Sequence, residues 1–281
     1  MVGRDRTSAS RRPLWRAVAF LALVVAAVAV VLVIGAAGRT HTLGARVVRV
    51  TVRSRLLHRR VPLTLVVPAG GGAGRPLLVF LHGRGGDQDS EISDELFTAL
   101  QKEGSRAPDI AFPYGGDHSY WHDRADARWG SYVVREVIPQ AVATLHADSR
   151  RLAIGGISMG GFGAYDLARS EPGRFCAVGG HSAALWATSG ATAPGAFDDA
   201  GDFARHDVIA AARADPRRYG RARLWLDGGE QDPFHAADET LAHALGIRMH
   251  VWPGGHDSDY WTAHYGDYLR FYAGALAACR P

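Results

Sequence analysis

Valine alternates with arginine and threonine from Arg46 to Ser54, the period-two pattern of a strand with one solvated face. Arg60 to Pro68 reads as its partner, and Pro68 with the glycines of 70–74 makes a loop. Leu77 to Leu81 is a continuous apolar run, which fits a strand buried on both faces of a largely parallel sheet. Shorter runs at Asp109–Pro113, Arg151–Gly155, Cys176–Gly180, Arg223–Asp227 and Arg248–Trp252 predict further strands. Helical spacing lies between them, at Glu91–Lys102, Met159–Arg169, Asp207–Ala214 and Trp261–Ala278. In Trp129–Leu145 it puts Val133, Val137, Ala141 and Leu145 on one face, and Pro139 predicts a kink or restart there. Strands alternating with helices predict an α/β fold, a mostly parallel central sheet flanked by helices. Elsewhere in Ser182 to Ala222 the periodicity fails. That stretch is too short for a large lid domain, and reads as an ordered excursion beside a site or as a plain surface loop.

The amino-terminal pattern is different. No charged residue occurs from Ala17 to Ala37, and about 20 such residues cross a bilayer core as a helix. Arginines precede the run and should stay cytoplasmic, which places the remaining chain outside. A cleaved, secreted form with Gly35-Ala36-Ala37 as the processing site is the competing expectation. A buried core helix leaves the arginine cluster unexplained. The expected organisation is therefore a basic cytoplasmic tail (1–16), a transmembrane signal-anchor (17–37), a tether (38–45) and a catalytic domain (46–281).

Charge narrows the partners. The formal net charge of +4 is the charge of residues 1–16 alone, so the rest is neutral and no nucleic-acid partner is expected. Export would put Cys176 and Cys279, the two cysteines, in a non-reducing compartment where they could pair; their spacing does not say whether they meet. With no CxxC pair and no HExxH motif, no zinc site and no cofactor are expected.

The chemistry centres on Gly156-Ile157-Ser158-Met159-Gly160, between a predicted strand and a predicted helix. Glycines two residues either side of a serine permit the sharp strand-to-helix turn that pushes a nucleophilic hydroxyl outward. A glycine-rich turn with a helix-capping serine has the same residues, so the flanking pattern must decide. A serine hydroxyl needs a base and an orienting carboxylate. Asp232 follows the strand ending at Asp227, and His256 follows the strand ending at Trp252. The order Ser158, Asp232, His256 with the last two on loops after strands is that of α/β-hydrolases. Asp227 and Glu230 are rival acids. His82-Gly83-Arg84-Gly85-Gly86 follows the buried strand and offers backbone N–H groups where an oxyanion needs donors. The aromatic loop with Tyr120, Trp121 and His122 either lines a cleft or covers core.

Leu81-His82-Gly83, Gly156-Ile157-Ser158-Met159-Gly160-Gly161, Asp227-Gly228-Gly229 with Asp232, and Gly254-Gly255-His256 with Trp261 together resemble the esterase D-like α/β-hydrolases. That group includes feruloyl and acetyl-xylan esterases, S-formylglutathione hydrolases and secreted mycolyltransferases. The resemblance covers about residues 45 to 278. It implies Ser158 as nucleophile, His256 as base, Asp232 as orienting acid, and the N–H groups of Met159 and Arg84 as oxyanion hole. The expected activity is hydrolysis of a carboxylic ester through an acyl-serine, on a small-molecule or glycan-linked ester. Acyl transfer to a sugar uses the same residues, and an envelope binding module would need none of them. Tyr120, Trp121 and Trp261 are the expected substrate contacts.

Overall fold

The computed structural model describes residues 40–279. The expected tail and membrane-crossing segment lie outside these residues; among the described residues no helix is long and apolar enough to cross a membrane. Eight strands form one sheet in the order β1-β2-β4-β3-β5-β6-β7-β8. β1 (Arg46–Ser54) and β2 (Arg59–Val67) make an antiparallel hairpin in register Arg46 with Val67, and β2 runs antiparallel to β4 (Asp109–Pro113). Every other neighbouring pair is parallel: β3 (Leu77–Leu81), β5 (Leu152–Ile157), β6 (Ala177–His181), β7 (Arg223–Gly229) and β8 (Met249–Trp252).

The helices cover both faces, which is why β3 is apolar throughout. Leu77, Val79 and Leu81 join the core on one face while Leu78 and Phe80 join the core on the other. Helix α1 (Asp94–Glu103) begins later than its apolar spacing suggests, because the Ser93 hydroxyl accepts the Leu96 N–H and fixes the start. The segment from Trp129 is interrupted as Pro139 predicts: α2 (Trp129–Tyr132) passes through a π-turn at Val133–Val137 into α3 (Ile138–Leu145). Helix α4 (Met159–Ser170) follows β5.

The excursion after β6 carries two short helices, α5 (Ala200–His206) and α6 (Val208–Ala214), capped by Asp199 and Asp207. Only the second is legible in the apolar spacing. Helix α7 (His235–Leu245) is hidden there too, since its buried side includes Asp238 beside Leu241 and Ala242. The last helix, α8 (Ser258–Ala278), lies across the sheet with α1. Its Tyr272 points its hydroxyl into space left by Gly155 and Gly179, and a Cβ on either strand glycine would run into that oxygen. The hydroxyl is also hydrogen-bonded to His181 Nε2 at 2.9 Å. Cys176, just before β6, is disulfide-bonded to Cys279, just after α8, with Cα atoms 5.7 Å apart.

This topology puts the carboxyl ends of β3, β5, β7 and β8 along one edge, the edge at which open α/β sheets place their sites.

Candidate active site

Ser158 stands between β5 and α4 with φ 55° and ψ −114°, a sparsely populated conformation for a residue with a side chain. The two flanking glycines are there for closeness. A Cβ on Gly156 would meet the Leu81 carbonyl and the Gly160 backbone, and one on Gly160 would meet the Leu81 carbonyl. The turn is held from the neighbouring strand, where the Ser158 N–H donates to the His181 carbonyl at 2.9 Å and the Ser158 carbonyl accepts from the Ala184 N–H at 3.0 Å.

Three loops converge on that hydroxyl. His256 Nε2 lies 2.8 Å from Ser158 Oγ, and His256 Nδ1 lies 3.0 Å from Asp232 Oδ2. Because an ionised carboxylate can only accept, Nδ1 carries the hydrogen and Nε2 is left to accept from the serine. Asp232 is buried at 5% exposure. Burial alone pushes its carboxyl up, but the hydrogen bonds from His256 and the Phe234 N–H outweigh it and hold the group below the usual carboxylate range. The rival acids are elsewhere. Glu230 is exposed. Asp227 is wholly buried and accepts from His181 Nδ1 (2.6 Å), Trp225 Nε1 (2.7 Å), Tyr268 Oη (3.0 Å) and Tyr260 Oη (3.2 Å).

The glycine loop after β3 passes beside the nucleophile: a Cβ on Gly83 would sit 3.4 Å from that of Ser158. His82, which the sequence places at the head of this loop without a role, turns out to brace it. Its Nδ1–H donates to the Gly83 carbonyl at 2.7 Å, and its Nε2 accepts the Gly115 N–H at 2.9 Å, all from a buried imidazole. Arg84 lines the cleft. Met159 is the first residue of α4, so its N–H has no acceptor inside the helix.

The cleft over Ser158 holds about 490 Å³ and is walled by Tyr120, Trp261 and Phe234 among others. Two of the three expected aromatic contacts therefore reach it. The third, Trp121, does not: it is fully buried, its indole N–H donates to the His82 carbonyl at 3.2 Å, and it belongs to the core. Both Tyr120 and Trp121 have positive φ, 49° and 58°; both pack in the same core, and Tyr120 also borders the cleft. His122 is likewise buried, against Asp202. The His256 ring is met edge-on by Trp261 at 5.2 Å and by Phe234 at 5.0 Å. Sequence reasoning misses Phe234, whose only signal is a place two residues after Asp232.

It misses Glu91 as well, because that residue shows in the sequence only as the start of a helical spacing. Glu91 is a buried part of the cleft wall and accepts a hydrogen bond from the Tyr265 hydroxyl. Burial raises its pKa from 4.5 to about 7 despite that hydrogen bond. Between those two values the folded chain holds a proton that the unfolded chain has lost. Stability from this group is therefore present below pH 4.5 and falls as pH rises to about 7. Glu91→Gln should remove that slope, so that melting temperatures followed from pH 5 to pH 8 show the variant gaining on the wild type toward pH 8. An unchanged slope would contradict the assignment.

Comparisons with known proteins show the family and the fold. The Esterase family model matches residues 54–271. An esterase of Mycobacterium tuberculosis is 29% identical over 115 residues, which is 38% of this chain and 25% of that protein. The chain thus matches about a quarter of that curated relative's length. Among solved structures, a ferulic acid esterase superposes with a TM-score of 0.69 at 21% identity, covering 82% of this chain and 98% of the other. An S-formylglutathione hydrolase from Agrobacterium tumefaciens superposes at 0.68 and 17% identity, covering 85% and 99%. At these identities the two superpositions establish the shared α/β-hydrolase fold.

Proposed function

The chain belongs to the Esterase family, and from that membership we propose that it is a serine esterase cleaving carboxylic esters through an acyl-Ser158 intermediate. The observation that carries the reading is the continuous hydrogen-bonded line from Ser158 Oγ through His256 to Asp232 on a glycine-flanked elbow. His256 Nε2 takes the hydroxyl proton as Ser158 Oγ attacks the ester carbonyl carbon. The negative charge that develops on the carbonyl oxygen is met by the backbone N–H groups of Met159 and Arg84. Collapse of the tetrahedral intermediate breaks the ester C–O bond, and the leaving alcohol takes the proton from His256. Water then repeats the sequence on the acyl-serine and frees the acid. Asp232 holds the imidazole in the tautomer this requires and favours its protonated form.

The open cleft, with Tyr120, Phe234 and Trp261 in its wall, supports an ester with a bulky acyl or aromatic group. A panel of acetyl, butyryl, long-chain and feruloyl esters, with and without trehalose as acceptor, tests this. The larger acyl groups should give the higher kcat/KM, and a strong preference for acetyl would overturn the open-cleft reading. Product on the sugar would reassign the activity to acyl transfer.

We place the domain outside the cytoplasm, anchored by segment 17–37 or released after its cleavage. The support is the charge-free run behind arginines and the Cys176–Cys279 bond, since disulfides persist in oxidising compartments. Protease added to intact protoplasts should digest an anchored domain; a domain that stays protected inside the cells overturns the placement.

A further inference from the structure

A second cleft, of about 410 Å³, opens beside α4 on residues that the ester chemistry does not use. His122 and His206 line it, and together with the buried Asp202 they bring one ligand atom each to within 4.8 Å of one another. His122 Nε2 is 3.1 Å from Asp202 Oδ2, and His206 Nε2 is 3.8 Å from Asp202 Oδ1. The other nitrogen of each ring faces an oxygen that can only accept. His206 Nδ1 is 2.8 Å from Asp166 Oδ2, and His122 Nδ1 is 3.4 Å from the Tyr120 carbonyl. His206 Nδ1 therefore carries the hydrogen and its Nε2 lone pair faces Asp202; His122 Nε2 lies within hydrogen-bond reach of the same carboxylate, and the tautomer with its hydrogen on Nδ1, donated to the Tyr120 carbonyl, would free that nitrogen as well. In that tautomer three electron-pair donors, two imidazole nitrogens and a carboxylate oxygen, converge at the spacing a metal ion needs.

We propose that His122, Asp202 and His206 bind a divalent transition-metal ion, best matched by zinc, with water as the fourth ligand. Two imidazoles and one carboxylate suit zinc and disfavour calcium or magnesium, which take oxygen ligands. The Asp166–His206 contact supplies the carboxylate–histidine–metal pairing that commonly orients such ligands. Arg169 is engaged with Asp166 Oδ1, while Arg205 donates to Asp202 Oδ1 at 3.0 Å and the Asp198 N–H to Oδ2 at 2.9 Å, each leaving that oxygen a second lone pair. The ion would tie the aromatic loop to α5 and, through Asp166, to the nucleophile helix, two residues from the Tyr120 wall of the active cleft. The absence of CxxC and HExxH does not bear on this site. Its ligands come from a distant loop and from positions 202 and 206, one helical turn apart.

The test uses the untagged full chain, purified, stripped with EDTA and dialysed. Titration with zinc should raise the melting temperature with a one-to-one end point, and cobalt(II) should give the visible absorption of a four-coordinate site. His206→Ala, at the rim of the cleft, should bind at least about 100-fold more weakly, while Ser158→Ala, which leaves the ligands alone, should titrate like the wild type. The absence of both a melting shift and a cobalt spectrum in the wild type overturns the proposal, as does unchanged binding by His206→Ala. Should that variant fail to fold, the wild-type cobalt spectrum still decides.

Discussion

Ser158→Ala should lower kcat/KM for p-nitrophenyl ester hydrolysis by at least about 10³-fold, a loss of about 4 kcal/mol of transition-state stabilisation. The hydroxyl is the attacking atom, and no neighbour can replace it. His256 could still activate water, and the backbone donors would remain, so residual activity above the uncatalysed rate is expected. The fold should survive, because the turn is held by backbone hydrogen bonds to His181 and Ala184, and the side chain contributes only its contact with His256. A fluorophosphonate probe should label the wild type on the peptide containing Ser158 and leave the variant unlabelled. Undiminished turnover by a folded, pure variant would remove the serine mechanism.

Asp227→Ala should produce the largest loss of stability among single substitutions near the site while touching none of the reacting atoms. Its carboxylate is fully buried and accepts four hydrogen bonds, from an imidazole, an indole and two tyrosines drawn from β6, β7 and α8. Alanine would leave four buried donors without an acceptor. Breaking such a buried network costs about 3–5 kcal/mol, which for a domain of this size lowers the melting temperature by roughly 6–20 °C. The informative companion is Asp227→Asn. An amide keeps one acceptor oxygen but turns its NH₂ toward either the two tyrosines or the imidazole and indole, so this variant should recover little of the loss. A fall of less than about 2 °C in Asp227→Ala, followed by differential scanning fluorimetry, would show that the carboxylate is not the hub described.

The parts legible in the sequence share one property: their cause is local. β1 and β3 follow directly from the side chains of nine and five consecutive residues, and the elbow from glycines flanking a serine. The order of Ser158, Asp232 and His256 is readable because each follows a strand. What stays hidden depends on partners far away in the chain. Asp227 reads as the end of a strand until Tyr260 and Tyr268 arrive from α8. Tyr120 and Trp121 are equivalent on paper, and in the fold both pack in the core while only Tyr120 also borders the cleft. The cysteines are 103 residues apart, and no periodicity connects them. Helix α7 escapes notice because a buried Asp238 interrupts the apolar face that would have announced it.

The seat of Tyr272 bears on how this sequence can change with time. Its hydroxyl fills the space over Gly155 and Gly179 and is also the partner of His181. An alanine at either strand position is closed to a descendant that keeps the tyrosine. Phenylalanine at 272 would still leave a ring carbon 2.6 and 2.8 Å from those two Cβ positions, and it would strip the imidazole of its partner. The four positions can therefore move only as a set, and among distant relatives their identities should change together or not at all.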